Sequence, residues 1–161
     1  MPVIRIAKLT DYAIVMLTYF ARGRDQAHTA RDVAARTAIP LPTVSKLLKA
    51  LSRGGLLVSH RGVKGGYTLA RPPEEISVAS IIATIDGPIA MTECSVHAPG
   101  LCDLEPVCPV RSNWRRINQV VQRALDGLTL DDMTVPLPRQ RVSDPSGEGI
   151  SDYRLVTRKT A

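Results

Sequence analysis

Residues 56–70 constrain the fold more than any other stretch of the chain. Leu56-Leu57-Val58-Ser59-His60-Arg61 has the composition of a strand, and Gly62-Val63-Lys64-Gly65-Gly66 can reverse the chain tightly. Tyr67-Thr68-Leu69-Ala70 then alternates as the return strand. The hairpin lies directly behind residues 29–53. That sequence predicts two short helices in tandem. Thr29 can cap the first, with Asp32 three residues on as in a capping box, and the helix runs from Ala30 to Arg36. Thr37-Ala38-Ile39-Pro40 connects it to a second helix that begins near Leu41-Pro42-Thr43 and ends at Arg53, before Gly54-Gly55. Pro42 suits a first turn, where its missing N–H costs nothing. Val44, Leu47, Leu48 and Leu51 mark the buried face at spacings of three and four, while Thr43, Ser45, Lys46, Lys49 and Arg53 lie on other faces. Two short helices joined by a tight turn, the second carrying small polar and basic side chains, with a hairpin directly behind, form a helix-turn-helix with a wing.

Charge points the same way. Residues 1–70 carry 11 Lys+Arg against 3 Asp+Glu, in a chain of 161 residues with net charge +6. A basic half of this kind implies a polyanionic partner, and Arg61 and Lys64 add charge at the glycine-rich wing tip. Residues 74–110 hold no Lys or Arg and six acids, together with every cysteine of the chain. That segment implies a separate task. Aromatic residues make up only 4%, too few for a platform that stacks single-stranded bases. The longest apolar stretch, near Ala13 to Ala21, is too short for a membrane span. The N-terminus opens into periodic sequence with no cleavage pattern, and the cysteine number is odd, so a cytoplasmic location is expected.

Around the winged module the periodicity predicts three further helices. The first runs from Thr10, as its cap, to Arg22, and leaves almost no polar face, as for a helix buried all round. After Pro72-Pro73, Ser77 caps a helix over Val78 to Asp86. Residues 88–108 show no period, and a loop of that length inside a compact domain needs a function or a clamp. The last helix spans Val110 to about Leu125, with Pro109 in its first turn and Cys108 at or near its N-cap. Trp114, Ile117, Val121, Ala124 and Leu128 form a narrow apolar stripe, which suits either a dimerisation seam or packing on its own subunit. Beyond Val135 the sequence is polar and aperiodic, a tail expected to be disordered.

Cys94, Cys102 and Cys108 follow the spacing C-x7-C-x5-C among Pro, Gly and acids rather than in an apolar run, and read as a ligand set. Thiolates suit an iron–sulfur cluster or zinc. His97 is the local candidate for a fourth corner, and spacing alone leaves both metals open.

Four segments are similar to the family of dimeric bacterial winged-helix regulators typified by IscR and NsrR. They are Lys8-Leu9-Thr10-Asp11-Tyr12-Ala13, the helix-turn-helix from Thr29 to Arg53, the hairpin from Arg61 to Pro72, and the three-cysteine loop. The resemblance covers about residues 3–130, its most specific part is the R-G-x-x-G-G-Y-x-L-A-R-x-P wing, and it is nearest to the branch that regulates the SUF assembly system. It implies a homodimer on a double-stranded DNA operator and an iron–sulfur cluster, 2Fe–2S or 4Fe–4S, held by Cys94, Cys102 and Cys108. The first cysteine gap is longer than usual for the family. Where IscR-like members have a His three positions after the last Cys, this chain has Arg111. In NsrR-like members the fourth ligand is an Asp near the first helix of the other subunit, a position that Asp11 matches.

The expected architecture is mainly α, a winged helix-turn-helix with a β-hairpin wing plus a long C-terminal dimerisation helix. It divides into a DNA-binding domain at 1–73, a connecting helix and cysteine loop at 74–109, a dimerisation helix at 110–134, and a tail at 135–161. The function so implied is a regulator, with repression as the expected mode, that senses iron–sulfur or redox status and controls cluster-assembly genes. Thr43, Ser45, Lys46, Lys49, Arg61 and Lys64 would contact DNA. The alternative is a winged-helix DNA-binding protein with structural zinc. An enzyme using Cys108 as an activated thiol is not expected, because His28, His60 and His97 are scattered and no base–orienter pair is visible. Neither a membrane nor a small-molecule substrate is expected as partner.

Overall fold

The computed structural model describes residues 6–23, 26–62, 65–95 and 102–135, without the side chains of Cys94 and Glu105. Helices α1 (Lys8–Arg22), α2 (Ala30–Thr37) and α3 (Leu41–Arg53) precede strands β1 (Leu57–His60) and β2 (Gly66–Leu69). Helices α4 (Val78–Asp86), α5 (Arg111–Asp126) and α6 (Leu130–Thr134) follow. The fold is mainly helical, with one antiparallel hairpin behind the α2–α3 pair. Lys64, His97 and the whole segment beyond Val135 lie outside the described residues.

Helix α1 is the centre of the core. Ala13, Met16, Leu17 and Phe20 meet Val33 of α2, the Val44-Leu47-Leu48-Leu51 face of α3, Leu57 of β1, Ile81 of α4 and Leu130 of α6. Two expectations for this helix need correction. It starts two residues before Thr10, at an Ala7 cap that offers no side-chain hydrogen bond. Thr10 is instead fully buried, and its Oγ1 donates to Asp86 Oδ2 at 2.6 Å. The helix faces inward at Thr10 and meets the end of α4 there, so the hydroxyl finds a carboxylate rather than a free helix N–H. Nor is α1 buried all round. Lys8, Asp11, Val15 and Arg22 recur at helical spacing on one exposed face.

The capping box at α2 is as expected: Asp32 N donates to Thr29 Oγ1 at 3.3 Å, and Thr29 N to Asp32 Oδ2 at 2.9 Å. The turn to α3 passes through Ala38 at φ +57° and buries Ile39. The hairpin pairs Leu57 with Leu69 and His60 with Gly66. Tyr67 and His28 also exchange both backbone hydrogen bonds, at 3.0 and 2.9 Å, so the residue before the α2 cap is bridged to the outer edge of the wing. Gly66 is required there. Its φ is +154°, and a Cβ would lie 2.8 Å from the His28 carbonyl oxygen.

Residues 76–78 pair with 128–130 through Val78 N to Leu128 O and Leu130 N to Ile76 O, both 2.8 Å. This returns the end of α5 to the base of α4, and α6 then packs on α1. Leu125 and Leu128 lean on the core, but no residue of α5 itself is buried.

Candidate nucleic-acid interface and cysteine segment

Burial of Val44, Leu47, Leu48 and Leu51 fixes which side of α3 faces outward. Pro42, Lys46, Lys49 and Arg53 form the exposed face, and Thr43 and Ser45 are half-buried on opposite flanks of it. Arg31 and Arg36 of α2 and Arg61 at the wing are also exposed. Of the expected DNA contacts, Lys46, Lys49 and Arg61 are exposed cations, and Thr43 and Ser45 are half-buried. Lys64 lies outside the described residues. A helix with outward cations and flanking hydroxyls can pair with phosphates and present hydrogen-bond donors to base edges.

Wing and helices are held in register by one side chain that sequence reasoning misses. The His28 ring lies 4.7 Å from Tyr19 and 5.5 Å from Phe20, centroid to centroid. Its Nε2 is 3.3 Å from the Gly23 carbonyl and its Nδ1 is 3.2 Å from the Tyr19 hydroxyl. A carbonyl only accepts, so the Nε2–H donates to it, and in that tautomer of the neutral ring Nδ1 accepts a hydrogen bond from the Tyr19 hydroxyl. With its backbone paired to Tyr67, His28 joins α1, α2 and the wing into one reading head.

The acidic segment is less irregular than its sequence suggests. Cys94 lies in a short 3-10 turn, Glu93–Ser95, packed against α5, and Glu105–Val107 forms another. Asn118 of α5 clamps the approach to the first turn: Met91 N donates to its Oδ1 at 3.0 Å, and its Nδ2 donates to Ile89 O at 3.1 Å. A polar residue amid Trp114, Ile117 and Val121 was the available signal for this clamp.

Cys102 and Cys108 are free, half-buried thiols. Cys108 is not at the helix cap. It is extended (φ −71°, ψ 114°) because Pro109 disfavours a helical residue before it. Val110 is the cap, two residues after Cys108. The side chain of Cys94 and all of His97 lie outside the described residues. Among the described residues, no three His, Cys, Asp or Glu side chains gather as a metal-binding group. The donors present nonetheless fit a thiolate-ligated centre. Both described thiols are unpaired, neither is sealed in the core, and exposed Leu104 and Val107 lie between them in sequence. Asp11 sits on the exposed face of α1, with no place in its own chain's core.

The apolar stripe of α5 is exposed and begins earlier than expected. Val110, Trp114 (37% exposed) and Ile117 (44%) continue to half-buried Val121 in alternating steps of four and three, with exposed Val120 beside them. Leu128 drops out of the stripe, because it turns into the core with Leu125.

The fold and the basic face define a winged-helix, DNA-binding transcription regulator, not an enzyme. Residues 6–136 match the Rrf2 family model, described as an iron-dependent transcriptional regulator, and the chain belongs to that family. It is 33% identical over 141 residues to the transcriptional regulator IscR of Aliivibrio salmonicida, covering 85% of this chain and 83% of that one. It is 28% identical over 130 residues to NsrR of Halalkalibacterium halodurans, covering 80% and 89%. Among solved structures, it superimposes on IscR of T. potens with a TM-score of 0.62 at 25% identity, covering 81% of this chain and 85% of the other. CymR, the global cysteine regulator of B. subtilis, gives 0.63 at 25% identity, covering 81% and 96%. Among the described residues no helix is long and apolar enough to cross a membrane.

Proposed function

We propose that this chain is a homodimeric, cytoplasmic regulator whose affinity for a double-stranded operator follows the state of an iron–sulfur cluster. Its ligands are Cys94, Cys102 and Cys108 of one subunit and Asp11 of the partner subunit, and its targets include iron–sulfur assembly genes. The observation that carries this reading is the uncovered apolar row on α5, which starts at Val110, two residues after Cys108. A row with that heptad-like spacing is satisfied by a second copy of the same helix. A subunit docked there covers the segment that holds the thiols. The exposed face of α1, with Lys8, Asp11 and Val15, is left for the partner as well.

When bound, such a cluster supplies a centre that responds to oxidants and to iron supply. The chain's own residues do the rest. Asn118 holds the segment approaching Cys94 to the dimer helix. Asp11 lies on the same helix as Tyr19 and Phe20, which grip His28 and through it the wing. A change at Asp11 therefore moves the reading head as a body. Two heads must match half-sites about 34 Å apart, so a shift of a few ångströms misplaces one of them.

Anaerobic purification followed by visible spectroscopy tests the reading. A brown protein with sulfur-to-iron charge-transfer bands, lost in Cys102→Ala and Cys108→Ala, is the expected result. A colourless, zinc-containing protein that still binds DNA would replace the cluster with a structural metal. Asp11→Ala should speed decay of the bands while leaving the dimer intact, and His97→Ala should change little. The opposite pattern would place the fourth ligand in the loop.

A further inference from the structure

The start of α3 carries an exposed apolar tip of three residues, Pro40, Leu41 and Pro42. Leu41 is 41% exposed, although it opens a helix whose other leucines are 2% exposed or less. The two prolines lack an N–H and none of the three side chains carries a donor or acceptor, so the tip's side chains offer a base edge apolar contact alone. The Pro40 cap makes no side-chain hydrogen bond either. One turn on, Ser45 shares the flank of Leu41, and Lys46, Lys49 and Arg53 supply outward cations. The tip is thus the apolar leading end of an exposed helix face that is otherwise polar and cationic.

The surroundings select the occupant. A strongly basic helix face draws this tip toward DNA, and residues at the start of a recognition helix are those that reach base edges. The apolar group that the major groove offers is the thymine C5-methyl. We propose that Leu41 reads that methyl group, and that each half-site carries a thymine next to the base contacted from Ser45. This inference rests on α3 being the reading helix, as proposed above. Burying one methyl against Leu41 is worth about a fourfold change in affinity per half-site.

The test starts from the wild-type dimer and a random duplex library, from which a preferred operator is selected. Each thymine of that operator is then replaced in turn by deoxyuridine, which removes the methyl and keeps the pairing edge. One thymine per half-site should be sensitive, at about fourfold. Leu41→Ala should weaken binding to the thymine operator by a similar factor and show no further loss with deoxyuridine. Leu41→Met should retain the sensitivity. As an exposed helix-start substitution, Leu41→Ala should fold as the wild type, which circular dichroism checks. If no sequence is enriched, the assignment of α3 as the reader fails, and this inference with it. A selected operator that is indifferent to deoxyuridine, or equally sensitive with Leu41→Ala, overturns the role of Leu41 and leaves the reader assignment standing.

Discussion

Gly66→Ala should destabilise this protein far more than its conservative chemistry suggests. Two costs add. A residue with a Cβ at φ +154° is strained by about 1–3 kcal/mol. The new Cβ would also lie 2.8, 2.9 and 3.2 Å from the oxygen, carbon and nitrogen of His28, all backbone atoms that cannot rotate aside. Relieving that overlap means separating His28 from Tyr67 and breaking their two backbone hydrogen bonds, each worth about 0.5–1.5 kcal/mol. Together the costs come to about 4 kcal/mol, a large share of the ~5–15 kcal/mol that holds a typical domain. Gly55→Ala is the matched control. Its φ is +71° but nothing lies within 4 Å of its Cβ, so only backbone strain of about 1–2 kcal/mol applies. Urea unfolding of both variants, followed by circular dichroism, measures the difference. Hydrogen exchange at the His28 and Tyr67 amides should accelerate in Gly66→Ala alone. Equal stability loss in the two variants, with both amides still protected, would refute the idea that the wing is locked to His28.

Other perturbations follow from single contacts. Thr10→Val keeps the shape of a fully buried side chain but removes its bond to Asp86. Because Asp86 is exposed and regains water, unfolding should show a loss of only about 1 kcal/mol. The Thr29 hydroxyl and then the Thr29 N–H hold the Asp32 carboxyl below the usual carboxylate range. The stability it contributes is therefore present above that range and lost as pH falls through the lowered value. Asp32→Asn should narrow the gap to wild type on acidification, and a gap that held constant would contradict the cap assignment. Ile117→Asp would set a charge in the proposed seam at a cost of several kcal/mol, so sedimentation should report monomers, and an unchanged dimer would reject that seam.

The reading head is legible in the sequence because its rules are local. Capping at Thr29, the three-and-four spacing from Val44 to Leu51, and turn glycines between short strands each act over a few residues, and they agree with one another. Thr10 misleads for the same reason. Locally it is a plausible cap, and only the arrival of Asp86, 76 residues away, makes it an inward-facing partner. The same holds for His28. An isolated histidine between two helices carries no periodic signal, yet three elements meet on its ring and backbone.

The cysteine segment divides along the same line. Its composition singles out three thiols, whereas the conformation at Cys108 depends on the proline that follows it, a local rule that outweighs the helix-start preference of Pro109. What sequence spacing could not supply is the path of the segment, since Asn118 takes hold of it 24 residues after Cys94. The head closes its own core around α1, while α5 leaves it carrying Val110, Trp114, Ile117 and Val120 uncovered. An apolar row of that kind in water is a cost that docking removes. In the proposed dimer, a chain that satisfies its DNA-facing half alone but leaves the helix after its cysteines uncovered would tie the surroundings of those thiols to assembly. That is why the seam and the metal ligands are best tested in the same molecules. A seam variant that fell apart yet kept a stable cluster would show that metal binding does not depend on assembly, and would break the link between cluster state and the spacing of the two reading heads.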